Sequence, residues 1–83
     1  MTSPFPLWDQ PIVRDLDYRG TKEFACEAMH AAALWSLDGG DLRTITMKLR
    51  KAARKHGVWG QQAEWIIGYA FAEYGVHYGD IRP

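Results

Sequence analysis

Cysteine occurs once in this chain, at Cys26. A single thiol forms no internal disulfide and cannot supply the several thiolates of a structural zinc site, so a reducing cytoplasm is the expected compartment. No stretch approaches the roughly 20 apolar residues of a membrane span. The opening MTSPFPLWDQP has neither the positive flank nor the apolar run of a signal peptide. Net charge is missing as well, since ten Lys and Arg balance ten Asp and Glu. That removes the overall field by which basic domains gather nucleic acid. There is no Gly-rich phosphate loop after a strand, no nucleophile elbow and no convergent acid/base set. These gaps point away from enzymes, metals, cofactors and membranes, and toward a cytoplasmic protein that acts by binding.

What the chain does have is aromatic and helical. Its 83 residues include four Trp, four Tyr and three Phe, and aromatic rings give the most buried apolar area per residue, which a domain this small needs. Pro4, Pro6 and Pro11 punctuate the start. Each removes a backbone donor and biases its predecessor toward extended geometry. Residues 1–20 therefore read as an extended Pro-rich N-terminal arm, carrying Phe5, Leu7 and Trp8 to dock on the domain or on a partner. The segment Ile12 to Tyr18 fits neither period well and reads as a short strand or a single helical turn.

Residues 21–83 read as an all-α three-helix domain. Thr21 serves as an N-cap for a helix over about 22–37, which Asp38-Gly39-Gly40 stops. Asp41 caps a second helix over about 41–56, ended by His56-Gly57. A third spans about 61–74 and is closed by Gly75, leaving VHYGDIRP as a short tail with Val76, Tyr78 and Ile81 alternating.

Turned at 100° per residue, the three helices differ. The second places Leu42, Ile45, Leu49, Ala52, Ala53 and His56 on one face and Arg43, Lys48, Arg50, Lys51, Arg54 and Lys55 on the other, with Met47 near the centre of the cations. Six of the ten basic residues thus lie between Leu42 and Gly57, and no acid falls between Asp41 and Glu64. The first and third helices are apolar nearly all round. Three helices cannot bury one another completely, so some of that surface is expected to meet the arm, another protein or a second copy, as a homodimer through helices one and three. Gly68, four residues before Ala72, would let another backbone come close.

The basic face has a plain reading, a solvated surface that balances acids elsewhere. Met47 argues for more, because a flexible apolar side chain ringed by Arg suits an adaptable contact better than water. The expectation is a non-enzymatic regulatory protein that docks Arg43, Met47, Arg50, Lys51, Arg54 and Lys55, with Trp59 at the edge, onto an acidic protein surface. The alternative is nucleic acid, with the first two helices as a helix-turn-helix-like pair and Arg43, Thr44, Met47 and Arg50 toward base edges. Elsewhere the simple readings prevail. Cys26 and His30, spaced i,i+4, are a half-buried thiol and an ordinary histidine rather than a metal pair. Glu23 and Glu27 are a mildly repulsive exposed pair. Trp35 and Trp65 belong to the core.

Overall fold

The computed structural model describes residues 19–83. The arm expected over residues 1–20, including Phe5, Leu7, Trp8 and the Ile12 to Tyr18 segment, therefore lies outside the described residues up to Tyr18. Among the described residues three α-helices follow one another, α1 (Arg19–Asp38), α2 (Leu42–Lys55) and α3 (Gly60–Ala72), and a 3-10 turn covers Tyr78–Asp80. This is the all-α three-helix domain that the hydrophobic periodicity predicts.

The start of α1 departs from the expected cap. Thr21 is not at the helix boundary but two residues inside it, and it is buried. Arg19 and Gly20 are already helical, with Arg19 Nε 3.0 Å from Glu23 Oε1 one turn on. Asp41 does precede α2, in extended geometry. Its carboxylate accepts the Thr44 hydroxyl at 2.6 Å instead of making a side-chain bond to the helix amides. That hydroxyl first, and more weakly the charge of Arg43, holds the Asp41 carboxyl below its ordinary range.

The end of α2 is closed by backbone geometry. Gly57 has φ +76°, a left-handed conformation that a Cβ disfavours. Its amide donates to Arg54 O, and the next amide, of Val58, donates to Ala53 O at 2.8 Å. This is the paired closure of a Schellman motif, and it comes with the usual apolar contact, because Val58 and Ala53 are both buried. The same pattern recurs at Gly75, where Val76 N donates to Phe71 O. Each glycine thus ends its helix and turns a valine back onto the core.

The core forms where α1 and α3 meet. Phe24, Ala25, Ala28 and Ala32 of α1 pack with Ala63, Ile66, Ile67, Ala70 and Phe71 of α3, and Leu49 and Ala53 of α2 complete the cluster. Alanines on both helices thin the contact and let the two axes approach. His56, at the end of α2, lies 6.3 Å from Phe24 near the start of α1. Trp35, late in α1, lies 6.2 Å from Phe71, late in α3. So α1 and α3 run the same way with α2 reversed between them, and the first turns of α1 and α3 share one end of the domain.

Thr46 is 0% exposed in the middle of α2's inner face, a position a polar residue conceals from a hydrophobic wheel. Its hydroxyl donates back to Leu42 O at 2.8 Å, so burial leaves it satisfied. Among the described residues, no helix is long and apolar enough to cross a membrane.

Candidate functional site

The outer face of α2 is the candidate interface, and its geometry follows from the inner one. With Thr46, Leu49 and Ala53 buried against the other helices, the residues half a turn away must point to solvent. Arg43, Lys48, Lys51, Arg54 and Lys55 are all exposed. Met47 stands among them at 56% exposure. Among the described residues none of these five cations has a carboxylate within ion-pair distance. Arg43 adds only its field to that of Asp41.

Arg50 is different, and its assignment to the docking face is corrected. Its Nε donates to Glu64 Oε2 at 2.7 Å and its Nη2 to Glu64 Oε1 at 2.8 Å, a bidentate pair between α2 and α3. Nη2 also donates to the carbonyl of Ile81. Glu64 Oε1 further accepts the Tyr78 hydroxyl at 2.8 Å. The Arg50 and Glu64 side chains are only 19% and 21% exposed. Hydrogen bonding to Arg50, and secondarily to Tyr78, holds the Glu64 carboxyl below its usual range against the opposing effect of burial. Burial, then Glu64, raises the Tyr78 phenol. Arg50 is therefore a clasp that binds the C-terminal tail to two helices, with Ile81 buried beneath it.

Trp59 stands at the C-terminal end of the cationic face, 65% exposed. It follows the Gly57 turn, which buries Val58 and leaves the next side chain outside. Together with Arg54, Val58, Ala63 and Pro83 it lines a hollow of about 340 Å³. The cationic surface thus ends at a recess that mixes apolar walls with Arg54 and the Arg50–Glu64 pair, and the structure brings Arg54 and Trp59 together.

Two other tryptophans part company. Trp35 is half-buried against the core, and its indole Nε1 donates to Gly40 O at 3.2 Å, pinning the α1–α2 turn. Trp65, expected in the core, is 60% exposed. It points away from Ile66, Ile67 and Ala70 into a second, larger groove of about 420 Å³ with Gly68, Tyr69, Ala72 and Tyr78. Gly68 admits no second backbone there. A Cβ on it would sit 3.1 Å from the Tyr78 ring, so the clasp's own tyrosine fills the space.

The remaining candidates also resolve. Glu23 and Glu27 are not merely a repelling pair, since His56 Nε2 lies 3.1 Å from Glu27 Oε2 and its Nδ1 3.8 Å from Glu23 Oε2. Partial burial, then the charge of Glu23, pushes the Cys26 thiol up, which keeps it protonated and a poor nucleophile near neutral pH. Among the described residues no group of three or more His, Cys, Asp or Glu side chains is arranged to hold a metal.

The Glu64 clasp is not legible in the sequence, whereas uncovered apolar surface on α3 is expected from a helix that is apolar nearly all round. A lone acid and a lone arginine 14 residues apart carry no spacing signal, and the alternation of Val76, Tyr78 and Ile81 was the one local hint that the tail packs. No family model, no curated protein and no solved structure matches this chain.

Proposed function

We propose that this chain is a non-enzymatic binding protein that docks the outer face of α2 onto an acidic protein surface. The observation that carries the reading is the segregation of charge on one helix. Of six cations in α2, the one turned toward α3 is fully engaged by Glu64, while five remain in water without an acid partner among the described residues. Arg43, Lys51, Arg54 and Lys55 supply the attraction and steering, Met47 an adaptable apolar contact, and Trp59 a rigid anchor beside the recess at the helix end.

Nucleic acid is less well served by the same face. Of the four side chains that would read base edges, Arg50 is bound to Glu64 and the Thr44 hydroxyl to Asp41. That leaves Arg43 and Met47, with Asp41 beside them, too little for direct readout of a groove.

The test uses surface charges rather than the clasp. The full chain and its Lys51→Glu, Arg54→Glu double variant are compared in pull-downs and in gel shifts with random duplex DNA. The expected result is partner capture by the wild type, a loss of about tenfold or more in the variant, and no DNA retention by either. DNA binding that the double reversal abolishes would overturn the protein-partner reading. Undiminished capture by the variant would reduce the face to a solubilising surface.

A further inference from the structure

The groove on the outer side of α3 has a chemistry opposite to that of α2. From Gly60 to Ala72 the only charged side chain is Glu64, and Arg50 and Tyr78 occupy its carboxylate. Trp65, Tyr69 and Tyr78 supply aromatic walls, and Gly68 and Ala72 a shallow floor. Nothing in this surface would attract the acidic partner of α2, and its rings are poorly placed for water.

We propose that the chain's own N-terminal segment occupies this groove, with Phe5, Leu7 and Trp8 and the prolines that flank them set against Trp65, Tyr69 and Tyr78. Composition favours this occupant. Residues 1–8, MTSPFPLW, contain no charged side chain, and the first is Asp9, so an uncharged strip meets a groove whose lining carboxylate, Glu64, is already engaged by Arg50 and Tyr78. Proline-flanked segments are recognised by aromatic-lined grooves because proline presents a flat apolar ring and gives up little conformational entropy on binding. A hollow of about 420 Å³ holds a few large side chains rather than a helix or a domain.

Reach favours it too. Trp8 is 11 residues from Arg19, a span of up to about 36 Å at roughly 3.3 Å per residue. The longest dimension of the domain is 30 Å. Arg19 also opens α1 at the end of the domain where α3 begins, so the segment starts beside the helix it would cover. Tethering gives it an effective concentration on the order of millimolar, far above that of a second copy at micromolar concentration. Occupation in cis therefore outcompetes pairing through the same groove.

The experiment uses the full-length chain labelled with ¹⁵N. In Phe5→Ser, Trp8→Ser the Trp65 indole and the Gly68 and Tyr69 amides should shift, while Met47 and Lys51 on the far side of the clasp should not. In Ala72→Glu, which places a charge in the groove at an exposed helical position, tryptic cleavage after Arg14 should accelerate by about tenfold. Unmoved Trp65, Gly68 and Tyr69 resonances in the first variant, or unchanged cleavage in the second, would overturn the proposal. So would wild-type protein that sediments as a dimer at micromolar concentration and whose groove resonances move on dilution, because a second copy would then be the occupant.

Discussion

Arg43 and Arg50 sit seven residues apart, and an α-helix returns to within about 20° of the same direction over that interval. One is exposed and the other is held in a fork by Glu64. Truncating a partly buried, doubly hydrogen-bonded pair leaves the other partner desolvated and unpaired, whereas removing a solvated cation leaves nothing stranded. Arg50→Ala should therefore lower stability by about 2 kcal/mol and Arg43→Ala by less than about 0.5 kcal/mol. Urea denaturation of the two variants beside the wild type checks this. The clasp also sets a pH dependence. Because the Glu64 carboxyl titrates lower in the fold than in the unfolded chain, its contribution is fully present above the ordinary carboxylate range and is lost as pH falls through the folded value. Wild-type stability should drop more steeply below about pH 4.5 than that of Glu64→Gln, in denaturation midpoints measured from pH 7 to pH 3.

Thr46 makes a complementary case. Its hydroxyl is buried and bonded only to carbonyls of its own helix, which already serve the α-helical ladder. Replacing it with an isosteric methyl removes a polar group that has no essential partner. Thr46→Val should change stability by no more than about 1 kcal/mol, and Thr46→Asp, which buries a charge, should unfold the domain. Thermal melts of the two variants separate the outcomes.

At the scale of elements, the glycine closures decide where helices end and which side chains face in. At Gly57 a Cβ would meet the steric penalty of φ +76°, and the Val58 bond to Ala53 depends on that turn. Gly57→Ala should cost about 1 kcal/mol and increase amide exchange at Val58, the position where hydrogen-exchange mass spectrometry or NMR would detect it. These boundaries were legible in advance because glycine, and the basic last turn before it, are local signals. The helix extents were likewise close, since the period of 3.6 is written in each segment. Thr21 misled for a physical reason. A threonine before a helical run resembles a cap whether or not a preceding turn is already helical, and only packing against the core shows that its side chain is buried.

The described domain separates two surfaces of unlike chemistry, a cationic face on α2 and an aromatic groove on α3, with the Arg50, Glu64 and Tyr78 clasp joining the two helices at the groove's edge. Association through the first should weaken as salt rises, because exposed charges lose their reach over a Debye length of about 8 to 10 Å. Contact through the second should change little over the same range. Measuring partner retention and the Trp65 indole shift between 50 mM and 500 mM salt would distinguish them.

The sequence by itself determined the class of fold, the three helices, their stops and the amphipathic character of α2, because each of these depends on residues within one or two turns of one another. Met47 is exposed among the cations of that helix, and Trp59 is exposed beyond its end. Only the tertiary structure decided which cations of α2 find an acid among the described residues. Whether an arginine at the flank of a helix reaches solvent or a carboxylate depends on which helix lies beside it, and Glu64 is 14 residues away. The same holds for Trp65. On a helix with apolar residues nearly all round, the wheel offers two inner faces, and the packing of Ile66, Ile67 and Phe71 against α1 chose one, leaving the tryptophan on the other.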